Sequence, residues 1–263
     1  MKHLLAAIRF AYVMLVIFFG TMFVLLTGWM PIYIQQIHLS VWVTSLMCRA
    51  ILPMARVHVE FPPRAEVMAY EGLFFANHCT YFDIIAMSYM MPLRYLAKEE
   101  IAGWPFIGYL AKSIGCAFVK RHDKDSRAAA RQQLTTMNYY PPLVLYPEGK
   151  RNSGYQLHPF RYGAFEIATQ GQIPFTPIAI IYDRPEIFAS PHGENVLVAV
   201  WRVLSNYGPL NVKLVFLETV TPAPGANAAD LAEQTRAAML EVLSTQGNYK
   251  QEGDNHKVAG TTN

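Results

Sequence analysis

Hydrophobic positions crowd the start of the chain. No Lys, Arg, Asp or Glu occurs from Phe10 to Cys48, and Phe10 to Ile34 is nearly continuous in Phe, Leu, Val, Met and Ile. Such a run is long enough to cross a bilayer core, which takes about 20 residues. It is too long for a cleaved signal peptide, and Gly28-Trp29-Met30-Pro31 is not a small-residue cleavage site. A second apolar stretch, Ile37 to Met54, is broken by Arg49, and Pro31 with Gln35-Gln36 marks a turn between the two. Lys2 and Arg9 flank the first stretch, and Arg49, Arg56 and Arg64 accompany the second. Basic flanks favour the cytoplasmic side. A helical hairpin, spanning or dipping into one leaflet, satisfies both flanks, whereas a single span leaves one outside. Residues 1–55 are therefore expected to be membrane-anchoring helices.

After Pro62-Pro63 the pattern becomes short apolar runs alternating with helical segments. Arg56 to Phe61 alternates at period two and reads as a strand. Leu73 to Ala76, Leu93 to Ala97, Cys116 to Val119, Leu143 to Tyr146, Phe175 to Tyr182 and Asn211 to Thr219 read as further strands. Phe82 to Met91 predicts a helix ended by Pro92, and a Gly- and Pro-interrupted helical segment precedes Cys116. Asp125 to Asn138 predicts a helix capped by Asp125. Asp230-Leu231-Ala232-Glu233 resembles a capping box opening a last helix to about Ser244. Strands alternating with helices imply a layered α/β fold, with a central mixed sheet flanked by helices, over residues 56–246. The tail 247–263 is polar and is expected to be disordered.

Composition narrows the class. Hydrophobic residues make up 52% and charged residues only 16%, against about a quarter charged in soluble domains. A formal charge of +3 gives no reason to expect nucleic acid and suits an anionic lipid surface. Cys48, Cys79 and Cys116 have neither disulfide-framework nor zinc spacing, which fits a reducing, cytosol-facing domain.

Three groups of residues carry chemistry. Asn77-His78, followed by Asp83, sits where a buried strand gives way to a helix, the edge at which open α/β sheets place functional groups. A His there takes a proton at neutral pH. Asp83, about one turn into the helix, reaches back to fix the tautomer and stabilise the imidazolium. On spacing alone an ordinary helix start, with Asn77 as cap and Asp83 solvated, is the favoured reading of these residues. The second group is Tyr146-Pro147-Glu148-Gly149-Lys150-Arg151-Asn152. There Gly149 permits close approach, loop amides suit an anion, and Arg151 offers a fork matched to phosphate. A solvated basic loop is the plainer reading. Third, Lys98, Lys120 and Arg121 each follow a strand, so several strand ends would converge on one anionic site. Cys79 beside His78 is not read as a nucleophile, because adjacent residues on a turn point apart.

In order, these segments resemble the glycerolipid acyltransferase family, specifically the 1-acylglycerol-3-phosphate (lysophosphatidic acid) acyltransferases, over roughly Val57 to Thr219. The family's N-H-x-x-x-x-D motif matches Asn77, His78 and Asp83. Its second block resembles Lys98 through Gly108 followed by Gly115 to Arg121. Its F-P-E-G-T-R-S motif resembles Tyr146 to Asn152, with Lys150 and Asn152 replacing Thr and Ser. Later elements resemble Phe160-Arg161-Tyr162-Gly163 and Thr176-Pro177-Ile178. The resemblance implies that His78, oriented by Asp83, deprotonates the sn-2 hydroxyl of lysophosphatidic acid. That oxygen then attacks the thioester of acyl-CoA or acyl-acyl carrier protein to give phosphatidic acid. It implies Lys98, Lys120, Glu148, Gly149 and Arg151 as substrate-binding residues, an apolar tunnel for the acyl chain, and no metal or cofactor. The implied place is a bacterial inner membrane with the catalytic domain on the cytoplasmic side. The two departures leave open another acceptor, a lyso-ornithine lipid or a lysophospholipid. A thioesterase lacks support, since no G-x-S-x-G elbow is present, and a non-enzymatic lipid-binding membrane protein is the remaining alternative.

Overall fold

The computed structural model describes residues 2–120, 123–190 and 193–249. Arg121 and residues 250–263 of the expected tail lie outside them. The chain opens with helix α1 (Lys2–Thr27) and a two-strand hairpin, β1 (Tyr33–Ile34) and β2 (Ile37–His38), turned through Gln35 and Gln36 at positive φ. Helix α2 (Leu39–Met54) follows, capped by the His38 ring accepting from the Ser40 amide.

The α/β layer contains β3 (Val57–Glu60), α3 (Arg64–Val67), β4 (Leu73–Ala76), α4 (Phe82–Met90), β5 (Arg94–Lys98), α5 (Ile107–Ser113), β6 (Ala117–Val119), α6 (Lys124–Thr136) and β7 (Leu143–Leu145). It continues through α7 (Tyr162–Gly171), β8 (Phe175–Tyr182), α8 (Pro185–Phe188), α9 (Val196–Leu204), β9 (Leu210–Phe216) and α10 (Ala228–Gln246). The sheet order is β3-β9-β8-β4-β7-β5-β6. Strands β8, β4, β7, β5 and β6 run parallel, while β9 opposes β8 and takes β3 with it. The mixed sheet expected from the alternating pattern is present, and five carboxyl ends share one edge.

The pleat sends alternate residues of each strand into two cores. Phe74 and Ala76 of β4, Val144 of β7, and Ile178 and Ile180 of β8 face one core, which α2, α4 and α9 cover. Leu73 and Phe75, Leu143 and Leu145, and Phe175, Ala179 and Ile181 face the other, beneath α6, α7 and α10. β8 is buried along its whole length, as expected for a strand covered on both faces.

Two caps differ from expectation. Asp123, not Asp125, caps α6, accepting from the amides of Asp125 and Ser126. Asn227, not Asp230, caps α10. In both cases the capping side chain lies just before the first helical turn, where an extended backbone lets it fold over the free amides. Contacts also run past the expected start of the tail: Gly247 bonds back to Leu243, and Tyr249 is buried in the second core.

Helix α1 is long and apolar enough to cross a membrane by length and composition. It is nonetheless docked on the α/β layer along its length. The buried Arg9 donates to the carbonyls of Leu204 (3.0 Å) and Asn206 (2.7 Å). Phe10 meets Trp201 edge-on, Phe18 meets Phe106, and Gly20 lies so close to Met47 that a Cβ there would overlap its sulfur. Helix α2 is tied to α4 by the Ser45 hydroxyl donating to the Ser88 carbonyl at 2.7 Å.

Candidate active site

His78 follows β4 at the carboxyl edge of the sheet, and Asp83 is the second residue of α4. His78 Nδ1 and Asp83 Oδ2 are 2.6 Å apart. The same oxygen accepts from the amides of Cys79 (2.8 Å) and Thr80 (3.0 Å), and the other, Oδ1, accepts from the Tyr182 hydroxyl at 2.5 Å. Fully buried, Asp83 thus has four donors. That set holds a carboxylate in one orientation and, with Nδ1 engaged, makes Nε2 the imidazole nitrogen that takes a proton. The ring is stacked on Tyr146, centroids 4.1 Å apart. Asn77 does not cap the helix. It is buried, with its amide bonded both ways to the Ile180 backbone of β8 (2.9 and 2.7 Å).

The loop after β7 closes on the same edge. Glu148 accepts the His78 amide at 2.8 Å, the Asn152 side-chain amide at 2.8 and 2.9 Å, and the His158 amide at 2.9 Å. Only 2% exposed, it is a buried strut rather than a substrate-binding group. Burial pushes its carboxyl up to about 7, against the downward pull of the Asn152, His78 and His158 donors. Gly149 also differs from its expected role. Its amide donates to the Tyr146 carbonyl rather than to an anion, and its φ of +70° with Arg161 packed against it explains the glycine.

Arg151 is fixed by its Nε donating to the Ser190 carbonyl (2.8 Å) and by stacking over Tyr81, 4.1 Å from the ring centroid. Ser190 in turn donates its amide to the Cys79 carbonyl. Arg202 of α9 holds that segment, bonding the carbonyls of Ile187 and Ala189 and pairing with Glu194, whose carboxyl it pulls down. Cys79 is buried, and burial, with Asp83 and Glu148 nearby, raises its thiol well above the ordinary range, so it is no thiolate nucleophile.

His78, Asp83, Glu148, Gly149 and Arg151 therefore meet at one edge. Lys98 and Lys120 sit at the ends of β5 and β6, two and three strands from β4, about 10 and 14 Å across the sheet. Lys120 pairs with Glu99 at 3.4 Å, both exposed. Such a pair is worth little in water, and it turns Lys120 to a neighbour rather than to His78. Sequence reasoning missed Tyr182, Ser190, Arg202 and Tyr249, which reach the site from 99 or more residues away or through a carbonyl that no side-chain pattern encodes.

An apolar cavity of about 370 Å³ lies between β5–β7 and helices α6 and α7, lined by Leu96, Leu134, Leu145 and Ile167 and adjoining Tyr146 and Gly149. Arg161 and the paired Arg131 and Glu166 supply its polar wall.

Residues 57–181 match the family model described as Acyltransferase. Over 211 residues, 78% of each chain, the protein is 28% identical to a lyso-ornithine lipid O-acyltransferase of Pseudomonas aeruginosa. Over 174 residues, 64% of this chain and 68% of the other, it is 29% identical to a 1-acyl-sn-glycerol-3-phosphate acyltransferase of Neisseria meningitidis. The crystal structure of the 1-acyl-sn-glycerophosphate (LPA) acyltransferase PlsC from Thermotoga maritima superposes with a TM-score of 0.63 over 95% of this chain and all of that one, at 17% identity. That likeness concerns the fold.

Proposed function

Residues 57–181 match the Acyltransferase family model, and from that premise we propose that the protein acylates the sn-2 hydroxyl of 1-acylglycerol-3-phosphate, using acyl-CoA or acyl-acyl carrier protein. The observation that carries the reading is the 2.6 Å contact between His78 Nδ1 and a buried Asp83 carboxylate, which makes Nε2 the base. His78 takes the acceptor's hydroxyl proton as the oxygen attacks the thioester carbonyl. The carbon–sulfur bond then breaks, and His78 returns the proton to the departing thiolate. Asp83 stabilises the imidazolium between those two events. Arg151, pre-oriented by Ser190 and Tyr81, binds the acceptor phosphate, with Lys98 as a longer-range contributor. The acyl chain occupies the cavity beside Tyr146 and Gly149, whose size suits an apolar ligand. Helix α1 keeps the site at the membrane that holds the lysolipid, on the cytoplasmic face of an inner membrane.

A second reading keeps the chemistry and changes the acceptor to lyso-ornithine lipid. It is favoured by the longer match to the Pseudomonas protein and by Lys150 in place of Thr.

Purified protein in mixed micelles, given lysophosphatidic acid, lyso-ornithine lipid or lysophosphatidylethanolamine with either thioester, tests both readings through release of free thiol. Fastest turnover with lysophosphatidic acid supports the first, and a preference for lyso-ornithine lipid replaces it with the second. His78→Ala is expected to lower kcat by about 100- to 10,000-fold, and unchanged turnover in that variant sinks the mechanism. Arg151→Ala is expected to raise KM for the phosphate-bearing lipid. A rise confined to the thioester's KM moves Arg151 to the donor.

A further inference from the structure

Beyond the last helix, Tyr249 is 8% exposed, and its hydroxyl lies between two residues 172 and 97 positions upstream. Asn77 Nδ2 donates to it at 3.1 Å, and it donates to Asn152 Oδ1 at 3.2 Å. Asn152 Nδ2 donates onward to Glu148, and Glu148 accepts the amide of His78, the residue bonded to Asn77. The circuit closes on itself through Asn77, Tyr249, Asn152, Glu148 and the backbone of His78, with donors running from Asn77 to Glu148 along one arm and from the His78 amide to Glu148 along the other. Asn77 is anchored to β8 through Ile180, so the ring hangs from the middle of the sheet.

We propose that Tyr249 and Asn152 are a positioning pair that fixes the backbone of His78 through this ring. The inference rests on the acyltransferase reading of the site. Chemistry singles out these two side chains. The asparagine amide offers an acceptor and two donors, so one residue serves Tyr249 and both Glu148 oxygens together. A serine, which the family motif carries at this place, has a single hydroxyl on a one-carbon stem and cannot span them. A tyrosine supplies the one-donor, one-acceptor hydroxyl that joins two amides. The departure at Asn152 and the C-terminal tyrosine therefore belong together. Both residues are buried. Both act through the placement of the base, where a shift of about 1 Å costs about 100-fold in rate.

The test compares Tyr249→Phe, Asn152→Ser and the double variant in the full chain, with wild type alongside. Tyr249→Phe leaves Asn77 bonded to Ile180 and Asn152 bonded to Gly154, so the fold should persist, and a thermal melt checks it. Its kcat should fall roughly tenfold with both KM values within about twofold. The acid limb of its pH profile should move upward, because a loosened Asn152 holds the charged Glu148 less well. Asn152→Ser tests the same contact from its other end, and adding Tyr249→Phe to it should cost nothing more. Unchanged kcat in Tyr249→Phe, or fully additive losses in the double variant, overturns the pairing. A lowered melting temperature with an unmoved pH profile reduces Tyr249 to a packing residue and overturns it too. A wild-type protein that releases no thiol from any acceptor overturns the acyltransferase reading, and this inference falls with it.

Discussion

Asp83 shows how much a single carboxylate is asked to do. Three donors converge on Oδ2, and Tyr182 holds Oδ1. Asp83→Asn keeps the shape but turns an acceptor into a donor facing donors. Steady-state thiol release should drop about 1,000- to 10,000-fold, as expected when an imidazole loses its orienting carboxylate. Tyr182→Phe removes only one of the four donors and should cost roughly tenfold, about one hydrogen bond's worth. A larger loss for Tyr182→Phe than for Asp83→Asn would contradict this ordering. His78 and Asp83 were legible because their partnership is local, five residues across a strand-to-helix turn. Tyr182 was not, because nothing in a strand of apolar residues marks which hydroxyl ends beside a carboxylate 99 positions earlier. Glu148 was visible but its role was misread, since a sequence does not say which way a carboxylate turns. Its raised carboxyl also has a thermodynamic sign. The folded group holds its proton to about pH 7, while the unfolded one releases it near 4.5. Between those values the native state binds the extra proton, so its contribution to stability is full below about 4.5 and is lost as pH rises through about 7. Melting temperatures of wild type and Glu148→Gln across pH 4.5 to 8 should therefore differ in slope within that window and run parallel above it.

At the level of elements, strands were the easier half. β8 runs over the same residues that apolar continuity marked, Phe175 to Tyr182, because a strand covered on both faces is written as an unbroken apolar run. Helix α7 escaped notice. It is ten residues long, opens with Tyr162-Gly163, and buries a stripe of only Phe165, Ile167 and Ala168. Helix α9 escaped because most of its sequence, Val196 to Val200, is apolar on every side, so no period stands out. The hairpin at Gln35-Gln36 places two non-glycine residues at φ of 50° and 64°, where turn preferences would call for Asn-Gly. The loop after β7 makes a prediction of its own. A methyl at Gly149 would sit 2.6 Å from Arg161 Nε at a φ of +70°. Gly149→Ala should destabilise the protein by about 1–2 kcal/mol from the left-handed backbone alone, with the clash in addition. Arg161→Ala in that background should relieve the clash but not the strain component, which thermal unfolding of the single and double variants separates.

Across the whole molecule, the plan of a central sheet flanked by helices followed from the alternation of patterns, but the relation of its apolar start to that plan did not. The α1 helix is about 39 Å long at 1.5 Å per residue, and it contacts α9, α2 and α5 at points from Arg9 to Val24. A helix held at Arg9 and Val24 against one domain favours a placement with both its ends on the same face of a bilayer. Leu4, Phe19, Leu26 and Trp29 remain exposed, and so do Leu197 and Val198 on α9. The apolar face thus belongs to both α1 and the domain, and we propose that the protein lies in one leaflet. Single cysteines at Leu4 and Trp29 should both react with an impermeant reagent from the cytoplasmic side of sealed vesicles. Labelling of the two sites from opposite sides would restore a spanning helix.

The Arg9 clamp also carries a schedule. Its two carbonyl acceptors lie 195 and 197 residues downstream. At synthesis rates of about 5–20 residues per second, α1 leaves the ribosome about 10–40 s before those acceptors exist. For that interval the helix lacks the α9 part of its docking surface and the acceptors for its guanidinium, and a lipid surface suits both. The nascent chain should therefore be at the membrane before its catalytic half has been translated, and the α/β domain should assemble in place against a helix that has already arrived.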